Sequence, residues 1–185
     1  MAKKSYAVIG LGQFGTAVCE QLIENGADVI AMDMDEERVK HISKKISTAF
    51  IADATQEDVL KNLGVGDVDT AIVAFGENEK ASILTTVILK ELGVRHIIVR
   101  VDNDYYAPIM KKLGANEIVS PQKSAGASLA NRLGSLDYKD FYKLDRKYSV
   151  VSIMVNQSFI PISLMDLKPK EQPKEKKEVK KNETW

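Results

Sequence analysis

Three glycines near the N-terminus have the spacing of a phosphate-binding loop. They stand in the segment AVIGLGQFG, where Gly10, Gly12 and Gly15 form a G-x-G-x-x-G pattern. The first glycine permits a tight turn out of a strand, and the second lets a pyrophosphate approach the backbone amides that open a helix. The third lets that helix pack closely on the sheet. The segment therefore predicts a loop that binds the phosphates of a nucleotide.

An acidic residue follows at the distance such a loop requires. Asp33 ends the next apolar run, 18 residues past Gly15, where a carboxylate can accept hydrogen bonds from both hydroxyls of an adenosine ribose. The same charge repels a 2′-phosphate, so we expect a ligand of the NAD type and not of the NADP type. We expect Asp35 to cap the following helix, which leaves Asp33 alone at the ribose.

The elements that position these residues alternate regularly between strand and helix. Apolar runs without polar alternation are typical of strands buried on both faces, as in a parallel sheet; they lie at 6–9, 28–32, 48–51, 70–75, 96–101 and 117–119. Segments of helical length separate them, at 14–25, 36–45, 56–63, 79–92, 106–113 and 124–133. We expect Thr55 with Asp58 to cap the third helix. The pattern predicts an α/β protein with a doubly wound, Rossmann-like parallel sheet.

The pattern changes in the last third of the chain. Residues 135–147 are polar and aromatic, and 148–155 (YSVVSIMV) predict one further strand. Residues 168–185 are rich in lysine and glutamate with almost nothing apolar, so we expect them to be disordered. We therefore predict a Rossmann-type domain over 1–140, a linker and the start of a truncated second lobe over 141–167, and a charged disordered tail over 168–185.

Composition argues against several classes of function. The chain has no net charge, and residues 1–167 hold 19 Lys and Arg against 22 Asp and Glu, which disfavours nucleic-acid binding. No apolar run approaches the roughly 20 residues that span a bilayer, so we expect a cytoplasmic protein without direct membrane insertion. Cys19 is expected to be an inert core thiol. Only two histidines are present, far apart and without companion cysteines, so we expect no metal site.

Several segments occur together in an order that resembles a known family. They are AVIGLGQFG, the strand ending in Asp33, then IADAT, IVAFGEN, LTTVILKELG and IVSPQ. Together they resemble the RCK (KTN) domain of the Ktr/Trk potassium-uptake regulatory subunits, of the KtrA and KtrC type. The resemblance implies a homodimer that assembles into an octameric ring on the cytoplasmic face of a membrane potassium channel subunit. It also implies a bound adenine nucleotide, either ATP, ADP, NAD or NADH, whose exchange gates potassium transport.

The resemblance also assigns roles to individual residues. Around the glycine loop it places Gln13 and Phe14 with Gly12 at the phosphates and Asp33 at the ribose. Met34, next to Asp33, is a further nucleotide-binding candidate. At the adenosine it places residues that follow the third and fourth strands, namely Asp53, Ala54, Phe75, Gly76 and Glu77. Arg100 ends the fifth strand as the only cation expected near this edge, and so is the candidate for phosphate charge. Tyr106, in the loop beyond, is a further candidate contact.

Three departures from the family pattern bear on the ligand. Gln13 and Gln122 stand where relatives often carry Arg and Glu, so a cation for a third phosphate and an acidic ligand for a divalent cation are missing. Both changes favour a diphosphate or a dinucleotide. The third departure is a second lobe that we expect to be truncated relative to the family's, so we expect no ligand pocket in that lobe.

Two other interpretations stay open from the residues. An NAD(H)-dependent oxidoreductase needs a substrate domain and an acid or base beside the nicotinamide, and neither a Tyr-x-x-x-Lys motif nor a His–Asp pairing stands at the strand ends. A nucleotide sensor that acts on a soluble partner is the other. The apolar segments 84–92 and 118–133 suit either dimer burial or ordinary core packing. Of these interpretations we expect the non-enzymatic regulator.

Overall fold

The computed structural model describes residues 3–76, 78–133, 138–143 and 149–153. The chain divides into two units between Gln122 and Lys123. The elements follow one another as β1 Ser5–Ile9, α1 Gln13–Glu24, β2 Asp28–Asp33, α2 Glu36–Ser43, β3 Ala49–Ile51, α3 Glu57–Asn62, β4 Thr70–Val73, α4 Glu79–Glu91, β5 His96–Arg100, α5 Ala107–Leu113, β6 Glu117–Val119, α6 Pro121–Leu133, β7 Tyr138–Lys143 and β8 Ser149–Ile153. Short 3-10 turns lie at Val65–Asp67 and Asp104–Tyr106.

The first unit is built on a six-stranded sheet in the order β3-β2-β1-β4-β5-β6. Every neighbouring pair runs parallel. The chain winds outward from β1 in one direction through β2 and β3, and then returns to the other side of β1 with β4. This reversal between β1 and β4 confirms the predicted doubly wound, Rossmann-like sheet, and it is the point where such sheets bind ligands.

The central strand is buried on both faces, as its continuous apolar sequence predicts. Ala7, Val8 and Ile9 are all fully buried. Ala7 and Ile9 belong to one core cluster and Val8 to the other, so the strand alternates its side chains between the two faces. Burying a valine or isoleucine side chain, such as those of Val8 and Ile9, stabilises the fold by about 1.5–3 kcal/mol. The two layers of helix thus anchor β1, which carries the glycine loop at its end.

Cys19 belongs to the second of these core clusters, beside Val8 and Ile42. Burial raises the pKa of its thiol to about 11, with a smaller contribution from the neighbouring charge of Glu20. A protonated, enclosed thiol is a poor nucleophile. The packing thus fits the expected inert core residue.

Two local features differ from the sequence predictions. Helix α6 begins at Pro121, three residues before the predicted start. The strand Tyr138–Lys143 pairs antiparallel with β8 although its sequence YKDFYK had indicated no strand. Strand β8 confirms the strand predicted over 148–155, whereas the predicted disordered tail lies outside the described residues. The predicted domain boundaries stay predictions.

Candidate functional site

The loop after β1 is shaped by two glycines that no other residue can replace without a shift. Gly10 has φ of +96°, a conformation that side chains disfavour, and its N–H donates to the carbonyl of Met32 at 2.8 Å. A Cβ placed on Gly15 would lie 1.8 Å from the carbonyl oxygen of Gly10. Helix α1 can therefore lie this close to the loop only with glycine at position 15.

Gly12 is the N-cap of α1 and has a different role. Its backbone is extended, and a Cβ placed there would meet no atom within 4 Å. The space that a side chain at position 12 would enter is thus open, and Gly12 lines a cavity. The unpaired N–H groups and positive dipole end of a helix favour an anion at this position.

The carboxylate of Asp33 is fixed beside this loop. Its Oδ2 accepts the N–H of Leu11 at 2.6 Å, and its Oδ1 accepts the N–H of Asp35 at 2.9 Å. The side chain is 11% exposed and lines a cavity. A carboxylate has about four acceptor positions, so Asp33 retains acceptor capacity for a ribose hydroxyl. The loop and the predicted sugar-binding residue are thereby tied into one unit.

Arg38 is a residue of this site that the sequence interpretation missed. Its Nη1 lies 3.4 Å from Asp33 Oδ2 and its Nε lies 3.3 Å from Asp35 Oδ2. Asp35 also accepts the N–H groups of Glu37 and Arg38, which confirms it as the N-cap of α2. Because Arg38 lines the same cavity as Arg100, the expectation that Arg100 is the only cation near this edge is wrong. The signal in the sequence that could have identified Arg38 is a cation three residues after the capping Asp35.

A cavity of about 780 Å³ lies at the carboxyl ends of the strands, within the size range of small-molecule sites. The predicted site residues that line it are Gly10, Gly12, Asp33, Met34, Asp53, Ala54, Phe75, Gly76 and Arg100. Residues that were not predicted also line it, namely Ile9, Met32, Arg38, Ala52, Thr55, Ala74, Asn78 and Ala81. The cavity spans the reversal between β1 and β4, since Gly10 and Phe75 follow those two strands.

Four predicted residues lie outside the lining of this cavity. Gln13 is exposed at the start of α1, and Gly15 is buried where the helix packs on the loop. Phe14 packs against the second core cluster. Tyr106 lines a small neighbouring cavity that also includes Gly76 and Arg100. Glu77 lies outside the described residues.

The turn after β3 holds Asp53 through its own neighbours. Oδ1 of Asp53 accepts the N–H of Thr55 at 2.9 Å and its hydroxyl at 2.7 Å. The Thr55 hydroxyl, followed by its N–H, lowers the pKa of Asp53. Thr55 therefore serves this turn, and the predicted capping of α3 by Thr55 is wrong because Gln56 is the N-cap. Oδ2 of Asp53 has a single, longer contact, 3.4 Å from Gln56 Nε2, whereas Oδ1 accepts two bonds. Oδ2 is therefore the oxygen that could accept a hydrogen bond from an adenine amino group.

The next residue, Ala54, is held from the other side. It is buried, and its carbonyl accepts the Thr85 hydroxyl at 3.0 Å. Thr85 is itself fully buried in α4. This bond fixes the turn that carries Asp53 to the helix behind it.

Arg100 lies in a polar cluster at the end of β5. Its Nε and Nη2 donate to the two oxygens of Asp102 at 3.1 and 2.8 Å. With the Gln122 amide oriented to satisfy both neighbours, its oxygen accepts from Arg100 Nη2 at 2.7 Å and its nitrogen donates to Asp102 at 2.9 Å. The guanidinium also lies 5.9 Å from the centre of the Phe14 ring. The Arg100 side chain is 12% exposed and is bonded to both Asp102 and Gln122.

Two kinds of feature are absent from the part of the chain that the structure describes. Within it, no three His, Cys, Asp or Glu side chains come together as a metal site. The helices of that part are all too short or too polar to cross a bilayer. Among the described residues, the charged side chains that line the cavity are the carboxylates of Asp33 and Asp53 and the guanidinium groups of Arg38 and Arg100.

Comparison with known proteins identifies the family. The family model described as the TrkA-N domain matches residues 6–121. The Ktr system potassium uptake protein C of Bacillus subtilis (strain 168) is 46% identical over 165 residues, which is 89% of this chain and 75% of that protein. The Ktr system potassium uptake protein A of the same organism is 37% identical over 164 residues, or 89% of this chain and 74% of that protein.

A solved structure shows the same fold. The GsuK channel bound to NAD matches with a TM-score of 0.61 and 13% identity, over 80% of this chain and 26% of that one. At this identity the likeness concerns the fold alone. The matches to the Ktr proteins confirm the family that the sequence segments indicated. The chain therefore belongs to the TrkA-N domain family, with the Ktr system potassium uptake proteins among its relatives.

Proposed function

We propose that this protein is a nucleotide-binding regulatory subunit that gates a membrane potassium channel or transporter. The observation that carries the proposal is the cavity at the β1–β4 reversal, which combines the amide groups of the glycine loop, the Asp33 carboxylate and the Arg100 guanidinium. These are the groups that bind a diphosphate and a ribose. The identity to the Ktr proteins supplies the link to potassium uptake.

The ligand we propose is an adenine nucleotide, with a diphosphate or a dinucleotide such as ADP or NAD(H) favoured over ATP. Gln13 is neutral and exposed, so it offers no charge to a third phosphate. Gln122 is engaged with Arg100 and Asp102, and an amide is a weaker ligand than a carboxylate for a divalent cation. Binding of NAD by the GsuK channel, which shares the fold, is consistent with this choice.

The mechanism we propose is a shift of conformational equilibrium without chemistry on the nucleotide. Each ligand moves the protein between two states only by its difference in affinity for them. The partners would be a membrane potassium channel subunit of the Ktr or Trk type, contacted by a homodimer or a ring of such dimers on the cytoplasmic side. The protein would then be cytoplasmic and peripheral to the membrane.

The proposal is tested by calorimetry with ATP, ADP, NAD and NADH, followed by co-purification with a Ktr-type membrane subunit. We expect ADP or NAD(H) to bind with 1:1 stoichiometry, and the nucleotide to change the amount of membrane subunit retained. The absence of any heat of binding with all four ligands would refute nucleotide binding. Steady conversion of NADH with a carbonyl substrate would instead indicate an oxidoreductase.

A further inference from the structure

The sugar end of the cavity holds two side chains with opposite preferences. In Rossmann-type sites a carboxylate after the second strand accepts the 2′-hydroxyl of the adenosine ribose, whereas a nearby arginine accommodates a 2′-phosphate. Here Asp33 and Arg38 both line the cavity, and their charged atoms lie 3.4 Å apart. The sequence had indicated the carboxylate alone, and hence rejection of a 2′-phosphate.

The hydrogen bonds of Asp33 reduce its power to repel an anion. Its Oδ2 faces both the Leu11 N–H at 2.6 Å and the Arg38 guanidinium, and its Oδ1 accepts the Asp35 N–H. The charge that a 2′-phosphate would meet is therefore that of a bonded pair and not of an isolated carboxylate. Asp35 adds a second negative charge, so the group of three keeps a preference for the uncharged hydroxyl.

Arg38 is also able to turn toward a ligand. Its side chain is 51% exposed, and its Nε and Nη1 make the bonds to Asp35 and Asp33. The guanidinium has five N–H donors in a planar fork that matches phosphate oxygens. A phosphate on the ribose could accept hydrogen bonds from other N–H groups of the same guanidinium, without any movement of helix α2.

We propose that Arg38 determines the specificity of the site at the ribose 2′ position, so that the cavity accepts adenosine ligands with a 2′-phosphate as well as those with a 2′-hydroxyl. Asp33 sets the preference for the hydroxyl, and Arg38 keeps that preference small. The inference rests on the proposed nucleotide binding and adds a ligand class to it.

The test measures the dissociation constants of AMP and adenosine 2′,5′-bisphosphate, which differ only by the 2′-phosphate. The ratio of the two is compared in the wild-type chain, Arg38→Ala, Arg38→Lys and Lys40→Ala. Lys40 is the matched control, since it lies on the same helix, pairs with Glu37 and is absent from the cavity lining. We expect Arg38→Ala to increase the preference for AMP about fivefold, as for the loss of a half-exposed charge pair. Lys40→Ala should leave the ratio within about twofold of wild type. Arg38→Lys keeps the charge but loses the planar fork, so its ratio should lie between those of wild type and Arg38→Ala.

The outcomes separate the inference from the function on which it rests. If the wild type binds both ligands and Arg38→Ala leaves their ratio unchanged or lowers it, the inference is overturned while nucleotide binding stands. An equal shift with Lys40→Ala would also overturn it, because the effect would then be one of general charge. If the wild type binds AMP but not adenosine 2′,5′-bisphosphate, the inference is overturned. If it binds neither of these nor ADP or NAD(H), nucleotide binding itself is refuted. Circular dichroism of each variant checks that the fold is intact.

Discussion

Asp102 forms a bidentate ion pair with Arg100, in which Nε and Nη2 of the guanidinium each donate to a different carboxylate oxygen, at 3.1 and 2.8 Å. Two-point contacts of this kind are among the stronger ion pairs in proteins. Arg100 is also the cation expected to meet the phosphates of a nucleotide. A bound phosphate must therefore share Arg100 with an internal carboxylate.

This sharing predicts that Asp102→Asn tightens the binding of ADP. Removing the competing charge leaves more of the guanidinium's attraction for the phosphates, and we expect a gain of about threefold, modest because the pair is partly solvated. Adenosine, which has no phosphate, should bind as in the wild type. Calorimetry with both ligands checks this, and weaker ADP binding in Asp102→Asn would mean that Asp102 positions Arg100 instead of competing for it.

Asp33→Ala should weaken adenosine ligands with a free 2′-hydroxyl, such as AMP, by about 1.5–3 kcal/mol, because hydrogen bonds to a charged group are lost. The control is Asp28→Ala, which removes a carboxylate from the opposite end of the same strand, where Asp28 pairs with Lys3 on the surface. Titration with AMP measures both variants. Equal affinities for the two would exclude Asp33 from the ribose site.

Alanine at two glycines of the same loop should have different effects, on stability at position 15 and on ligand binding at position 12. Gly15→Ala puts a Cβ 1.8 Å from the Gly10 carbonyl oxygen, so we expect a loss of about 3 kcal/mol in the free energy of unfolding. Gly12→Ala meets no atom within 4 Å, so its stability should change by less than about 1 kcal/mol. The added methyl should nevertheless weaken ADP at least about tenfold by covering the amides at the start of α1. Urea unfolding and calorimetry separate the two effects, and a stable Gly15→Ala would show that the loop can open.

The buried hydroxyl of Thr85 should contribute more to the free energy of unfolding than the hydroxyl of its neighbour Thr86. Thr85→Val leaves the buried Ala54 carbonyl without this donor, which we expect to cost about 1–3 kcal/mol. Thr86 donates to the carbonyl of Ser82 within its own helix, where such a bond adds little, so Thr86→Val is the control. Denaturant unfolding measures both, and equal losses would contradict a specific role for the Thr85 bond.

Asp69 should make the fold sensitive to acid. The N–H and hydroxyl of Ser5 both donate to its Oδ2, and these bonds lower the pKa of Asp69, the backbone N–H most. Because the folded state holds the charged form more tightly than the unfolded chain, the unfolded state binds more protons in acid. The stability due to Asp69 is thus present above the ordinary aspartate pKa of about 3.9 and falls as the pH drops through the lowered value.

The measurement is the free energy of unfolding of wild type and Asp69→Asn at several pH values between 6 and 3. We expect the advantage of the wild type to be constant near neutral pH and to shrink in acid. An advantage that grows as the pH falls would contradict the assigned sign.

Much of the sheet could be predicted because its signals are local. The apolar runs of β1 to β6 and the glycine spacing each depend on neighbours along the chain. Strand β7 could not be predicted, since YKDFYK carries no apolar run and is a strand only through its pairing with β8.

In the candidate site too, residues whose signal is local could be predicted, and residues whose role depends on packing could not. Asp33 follows from its position at the end of β2. Arg38 was missed because its role depends on the rotation of α2, which directs the guanidinium back toward the strand end. Thr55 was assigned to the helix because its sequence suits a cap, but the carboxylate of Asp53 competes for its hydroxyl.

The reversal of chain direction between β1 and β4 has a consequence for how this protein can change over evolutionary time. The hollow there arises from the route of the main chain, since the connections leaving the two strands turn to opposite sides of the sheet. Side chains around it adjust which ligand fits but do not create the space. Replacements at its rim should accordingly retune preference by small steps, and new ligands can be acquired without rebuilding the scaffold.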